Sequence, residues 1–352
     1  MAEGGKSLAG DWSLPASGSG PALLLFGGNA ALARRLAEDG YSVLADGDVD
    51  ALAARNGPDA EIGVVAFGKA AEHALALAAA ARINALACYD PPADAIVARA
   101  REIKIPAVFH FTMEADADKV RAAFGKRLNA RVFHYPEVAT GFALEGSATY
   151  DRIAGNLSYS RTLNVLRKVL GPDYDLGGLF DEHIKHEFVT RDADATMATM
   201  VPQPYVNHIP TLAGGFGHDM LKRFYKYHFI PKIPKDRKNI LISEIVGSDT
   251  IVREMVNEFT FTEPFDHYLP GVKPNGKKVC VPVVVIAKFR GDKLYYEHIY
   301  WDQATILKQL GLIDTTGLPV SGAEQAAKVR DPSLPANALM AEQWKESDGK
   351  PI

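Results

Sequence analysis

Hydrophobic and polar positions along the first half of the chain alternate between short, fully apolar runs and alanine-rich amphipathic runs. The pattern predicts strands at 22–26, 41–45, 62–67, 85–89, 107–111 and 130–135, and helices at 30–39, 70–82, 93–102 and 117–128. Strand, helix, strand in strict alternation means a parallel sheet covered on both faces. A long helix over 150–170, stopped by Gly171-Pro172, closes the unit. The second half is ordered differently. Helices are predicted at 179–189, 192–200 and 217–229 around a short strand at 205–209, and extended segments follow at 239–245, 250–262, 278–290 and 293–301. Gly291-Asp292 is a two-residue hairpin turn. Helices first and strands afterwards give an α+β unit whose curved antiparallel sheet wraps helices around a pocket. The expected organisation is a loose tail over 1–20, an α/β unit over 21–171, an α+β unit over 176–313, and a surface tail over 314–352 rich in Pro, Ala and charge.

Composition narrows the class. The chain has 352 residues, of which 47% are hydrophobic and 23% charged, with a formal charge of -4. These values suit two globular cores and give no electrostatic reason to expect nucleic acid or an anionic membrane as partner. No apolar run reaches the roughly 18 residues needed to span a bilayer. Cys88 and Cys280 are far apart, lack metal-ligand spacing and sit in apolar runs; buried free thiols in a reducing cytoplasm are expected.

Chemistry-bearing side chains concentrate in the second half, which holds seven of the ten histidines. In Glu297-His298-Ile299-Tyr300-Trp301-Asp302-Gln303, alternation puts His298, Tyr300 and Asp302 on one face of a strand, about 7 Å apart, and Glu297, Ile299 and Trp301 on the other. Lining a cavity, the first row would suit proton transfer; alternatively Asp302 caps a helix beginning near Ala304. Asp266-His267-Tyr268 is a second polar cluster at a strand end, either at a pocket rim or in a solvated loop. Asn207-His208 precedes Ile209-Pro210 in a stretch suited to burial, so His208 lines the pocket or is a satisfied structural histidine. Along 252–262, Glu254 and Glu258 lie on the opposite face from Arg253 and Asn257, and alternation does not say which face points inward. His183 and His186 share a helix face, but no third ligand follows at familiar spacing. A solvated face with Glu182 and His186 paired competes with a metal site, and no metal is expected. The basic run 232–238, with two prolines, reads as a solvated loop. Gly27-Gly28-Asn29 lacks both the Gly-x-Gly-x-x-Gly pattern and a P-loop lysine and reads as a turn.

Two family resemblances follow from these segments. Residues 33–45, Ile103-Lys104-Ile105-Pro106 with Phe109-His110-Phe111, and Val132-Phe133-His134-Tyr135-Pro136 with Thr140-Gly141-Phe142-Ala143 resemble dienelactone hydrolases of the α/β-hydrolase fold, over 21–170. That family needs a cysteine on a Gly-x-Cys-x-Gly-Gly elbow, an aspartate and a histidine. Here Gly68 stands for the thiol in Ala66-Phe67-Gly68-Lys69-Ala70-Ala71, Ala115 stands at or near the acid with Asp116 one step away, and Thr140 stands for the histidine. The resemblance therefore implies a hydrolase scaffold without its triad. Residues 176–312 resemble the SnoaL-like branch of the nuclear transport factor 2-like (NTF2-like) superfamily, through Tyr205-Val206-Asn207-His208-Ile209-Pro210, 269–277, and 297–303 with Gln309-Leu310-Gly311-Leu312. This resemblance implies a cone-shaped α+β barrel with one deep apolar pocket, and cyclases, isomerases, dehydratases or lyases that need no cofactor. It makes Asp302 the base, without placing the family's histidine; read from the residues themselves, His298, Tyr300 and His208 are the candidate partners, and Asp266, His267, Tyr268, Asn207, Trp301, Glu254 and Glu258 are candidates for substrate contact. A small apolar oxygenated or aromatic substrate, and a homodimer or larger homo-oligomer, are the partners expected. A non-catalytic binding or assembly module and a residual hydrolase remain the alternatives.

Overall fold

The computed structural model describes residues 11–352. The chain divides into two compact units, the first ending at Tyr174 and the second beginning at Asp175.

The first unit contains β1 (Asp11–Ser13), β2 (Ala22–Phe26), α1 (Ala30–Glu38), β3 (Ser42–Ala45), α2 (Val49–Asn56), β4 (Ile62–Phe67), α3 (Ala71–Ala79), β5 (Ala85–Tyr89), α4 (Ala93–Arg99), β6 (Ala107–Phe111), α5 (Glu114–Phe124), β7 (Ala130–His134) and α6 (Arg152–Leu170). Its seven strands run in the order β1-β3-β2-β4-β5-β6-β7. All neighbours pair in parallel except β1 with β3. Leu24, Val64 and Leu86 enter one apolar core, while Leu23, Val65 and Ala87 enter a second. Adjacent strand residues thus feed opposite faces, so these strands read as continuous apolar runs. Two expectations change here. Residues 11–13, placed in a loose tail, form β1 against β3; residues 1–10 of that tail lie outside the described residues. The short helix α2 also went unpredicted, although Asp48 caps it by accepting from the Ala51 amide at 2.6 Å.

The second unit contains α7 (Leu176–Phe188), α8 (Ala193–Ala198), β8 (Met200–His208), β9 (Ala213–Phe216), α9 (His218–Phe224), β10 (Lys238–Val246), β11 (Thr250–Thr260), β12 (Lys278–Arg290), β13 (Lys293–Trp301), α10 (Gln303–Leu310), α11 (Glu324–Arg330) and α12 (Ala341–Lys345). A π-helical turn, Tyr225–Phe229, extends α9. Six strands form one sheet, β10-β11-β12-β13-β8-β9, antiparallel except where β13 meets β8. Gly291, with φ 58°, makes the hairpin turn between β12 and β13 at little steric cost. Register aligns Met255 with Val283, Val285 with Ile299, Ile299 with His208 and Glu297 with Val206. These residues belong to the buried face, which Arg253 and Asn257 share. The tail beyond 313 is not wholly irregular. Helix α11 buries Ala326, Gln325 donates to Asp302 at 2.7 Å, and Arg330 pairs with Glu258 at 2.6 Å.

Candidate active site

Helix α7 runs its buried row through Leu176, Phe180, His183 and Glu187. Polar groups three and four positions along an apolar stripe are carried into the core with it. There they meet Glu297 of β13. His183 Nε2 lies 3.3 Å from Glu187 Oε1 and 3.6 Å from Glu297 Oε2. The Tyr225 hydroxyl donates to Glu297 Oε2 at 3.3 Å and lies 3.4 Å from His183 Nε2. His183 Nδ1 lies 2.6 Å from Thr199 Oγ1, whose own hydrogen goes to the Thr196 carbonyl. The threonine oxygen must then accept, so Nδ1 carries a proton. With Nε2 facing two carboxylates, both ring nitrogens donate: His183 is an imidazolium.

Electrostatics agree with that assignment. Burial by itself pulls the His183 pKa down, but Glu187 and Glu297 more than reverse it and raise it to about 10. Burial raises the Glu187 carboxyl above its ordinary value, opposed by His183 and reinforced by Glu297. Burial, with both carboxylates, keeps the Tyr225 phenol protonated far into the alkaline range.

This cluster forms one side of a cavity of about 50 Å³. Val206, Met255, Val283, Val285 and Ile299 supply sheet-side apolar walls, Phe180, Phe188 and Phe229 the helical ones, and His208, Arg237 and Tyr268 further polar groups. His208 Nδ1 lies 3.1 Å from the Ala213 carbonyl, which only accepts, so the proton sits on Nδ1 and Nε2 keeps its lone pair. Burial lowers the His208 pKa to about 4, so the ring is neutral at physiological pH. His267 packs beside it, ring centroids 4.8 Å apart, and burial holds it well below the usual histidine range.

The predicted site residues divide. His208 and Tyr268 line the cavity. Trp301 stacks on Tyr268 at 4.1 Å, and the Tyr268 hydroxyl donates to Asn257 Oδ1 at 2.8 Å. The face assignment on β13 is reversed: Glu297, Ile299 and Trp301 are buried, while Tyr300 is exposed and His298 packs edge-on against Tyr205 away from the cavity. Asp302 is the N-cap of α10, accepting from the Thr305 amide and hydroxyl and from Gln325. Burial alone would raise its pKa, but those donors bring it below the ordinary carboxylate value, the opposite of what a raised general base requires. Asp266 pairs with His228 at the surface, and Asn207 points to the other face from His208. Glu254 bonds Ser243 and Glu258 pairs with Arg330, both on the face opposite Arg253 and Asn257.

Four residues of the cluster and one of the wall lay outside the predicted set: His183, Glu187, Tyr225, Glu297 and Arg237. Two signals were present in the chain. Glu297 shares a strand face with the apolar Ile299 and Trp301, a bias towards burial of that face that period-two alternation alone does not settle. His183 and Glu187 are four apart on the stripe of Leu176 and Phe180. The expected Glu182–His186 pair does form, at 3.1 Å, on the outer face of the same helix. Arg237, in the run read as a solvated loop, turns its guanidinium inward instead.

His183, Glu187 and Glu297 bring three ligand atoms within 4.8 Å of one another, a spacing a divalent cation could bridge. A metal would have to displace the proton that the two carboxylates hold on His183.

In the first unit, Gly68 follows β4 with φ 53°, the left-handed conformation of a strand-to-helix elbow, without a nucleophilic side chain. Ala115 lies in α5, and Thr140 follows β7 and bonds Asp90. His110 is buried between Tyr135, at 2.8 Å, and Thr162, at 3.0 Å. Cys88 is buried in the sheet core, its thiol pushed far above the usual range by desolvation.

Comparison with known proteins gives each unit a likeness. Residues 43–170 match the family model described as the dienelactone hydrolase family. A putative dienelactone hydrolase from Klebsiella pneumoniae is 18% identical, covering 44% of this chain and 89% of its own, with TM-score 0.36. An NTF2-like protein of unknown function from Burkholderia pseudomallei is 17% identical, covering 39% of this chain and 98% of its own, with TM-score 0.31. A putative SnoaL-like polyketide cyclase from a Jannaschia species is 15% identical, covering 41% and 99%, with TM-score 0.32. No curated protein sequence matches the chain.

Proposed function

We propose that the cavity of the second unit is an acid–base active site for a small oxygenated molecule, with proton transfer beside a carbonyl, or loss or addition of water across such a bond, as its reaction class. One observation carries the reading: two buried carboxylates flank a buried imidazolium and a phenol at the wall of an apolar cavity. A structural ion pair alone needs neither a second carboxylate nor an adjoining hollow. Glu187, its carboxyl raised by desolvation, is the group proposed to take and return the proton. Tyr225, which stays protonated, is the donor for a developing enolate oxygen. His183 holds both carboxylates in place, and His208 Nε2 offers a neutral acceptor on another wall. The cavity has room for about four water-sized groups, which limits the substrate to a small compound.

The test is deuterium incorporation from D2O at the carbon beside the carbonyl of small ketones and 2-oxo acids, followed by proton NMR. Exchange is expected with the parent protein and should fall at least about 100-fold in Glu187→Gln. No exchange above buffer across the panel, or equal exchange in Glu187→Gln, overturns the reading.

A further inference from the structure

The basic run before β10 contributes one cavity-lining cation, and its bonding is incomplete. Arg237 Nη2 donates to Asn257 Oδ1 at 2.7 Å. Asn257 is itself fixed, accepting from Tyr268 and donating to Asn239 Oδ1 at 3.0 Å. Nε and Nη1 of the same guanidinium are shielded from solvent and have no hydrogen-bond partner within the described residues. No carboxylate among the described residues stands within ion-pair distance of it, although Glu187 is close enough to act on it electrostatically. Aromatic faces surround it instead, with Phe188, Tyr268 and Phe265 centroids at 4.8, 5.4 and 5.7 Å. By contrast, the buried cations Arg167, Arg253 and Lys288 each have a carboxylate partner: Asp39 for Arg167, Asp181 and Glu244 for Arg253, and Asp249 for Lys288.

A guanidinium withdrawn from water without its counter-charge is strongly unfavourable. Cation–π contacts return part of that cost, but they leave directional N–H donors unused. Such a group aimed into an apolar hollow has the chemistry of an anion receptor. Guanidinium forks match carboxylates, and the aliphatic lining beside Arg237 matches a short carbon chain.

We propose that Arg237 is an anion-binding residue of this cavity, and that the molecule bound there is a small monocarboxylate held by its carboxylate on Arg237 with its carbon chain against Val283, Val285 and Ile299. The substrate class rests on reading the cavity as an active site; the binding itself does not.

Propionate and its neutral isostere propionamide are the probes, titrated calorimetrically. Propionate should bind saturably, at least about tenfold more tightly than propionamide. Arg237→Met should erase the preference, and Glu187→Gln should retain it. If Arg237→Met does not fold, as judged by circular dichroism, Arg237→Lys serves: it keeps the charge but loses the fork and should weaken propionate about tenfold. Equal affinity for acid and amide, or an undiminished preference in either arginine variant, overturns the proposal. Discrimination without deuterium exchange sinks only the acid–base reading. Exchange without discrimination sinks only the Arg237 assignment.

Discussion

Replacing His183 by glutamine is the most direct probe of the buried cluster. The imidazolium stands 3.3 and 3.6 Å from two carboxylate oxygens. At an effective dielectric near 20, each contact is worth about 5 kcal/mol before desolvation is counted. Removing one partner of a buried ionic group typically costs about 3–5 kcal/mol net, because the remaining charge is left uncompensated. In His183→Gln, Glu187 and Glu297 would face each other without a cation, so a loss of about 3–5 kcal/mol is expected at pH 7. The pH dependence distinguishes this from simple loss of packing. The His183 pKa is raised from 6.5 to about 10 on folding, so its stabilisation is complete below about pH 6.5 and is lost as pH rises towards 10. Glu187, also raised, acts in the same sense: burying its ionised form becomes more costly as pH increases. The parent protein should therefore lose stability between pH 7 and 10. The variant should lack the His183 part of that loss and recover relative to the parent as pH falls, because Glu187 is raised and protonates more readily. Urea unfolding followed by tryptophan fluorescence from pH 5 to 10 measures both. A variant within about 1 kcal/mol of the parent at pH 7, with a parallel pH profile, refutes the imidazolium assignment.

Tyr225→Phe removes one hydroxyl and little packing; deuterium exchange should fall about tenfold to 100-fold while the far-ultraviolet spectrum stays unchanged. Asp302→Ala removes the N-cap of α10 and should cost about 1–2 kcal/mol in urea unfolding, with exchange within about twofold of the parent; a far greater loss of exchange would return Asp302 to the catalytic set. In acid, His208 and His110 are held neutral, with pKa values lowered to about 4 and about 3. The unfolded chain takes up their protons first, so stability should fall as pH drops below about 6.5, by up to about 1.4 kcal/mol per pH unit for each histidine, and His110→Asn should flatten that limb of the curve. Cys88 should resist a disulfide reagent until the protein is denatured, whereas half-buried Cys280 should react in the native state; rapid native labelling of Cys88 would contradict its burial.

Much of the architecture was legible because it depends on local periodicity. Continuous apolar strands alternating with Ala-rich helices imply a two-faced parallel sheet, and the hairpin at Gly291-Asp292 and the strands 278–290 and 293–301 follow from turn chemistry and alternation. The hydrolase likeness and its missing thiol were equally readable, because an elbow is a local motif and Gly68 occupies it. Elements β1 and α2 were not, since three and eight residues carry too little pattern to outweigh their neighbours.

The site was only half legible. Read alone, the chain shows that most histidines lie in the second half, that His208 is buried, and that alternate residues of 297–302 belong to opposite faces. It did not determine which face is covered, because period-two alternation is symmetrical until a helix packs on one side. Tertiary structure broke that symmetry: packing α7 and the turn after α9 onto the sheet put Glu297 inside with His183, Glu187 and Tyr225 and left Tyr300 in water. Those four residues span more than a hundred positions of sequence, and beyond the four-residue spacing of His183 and Glu187 no local signal links them. Arg237 makes the same point from a loop. A basic, proline-bearing run prefers water on composition alone, and only the fold supplied Asn257 and the aromatic walls that draw one guanidinium into the cavity.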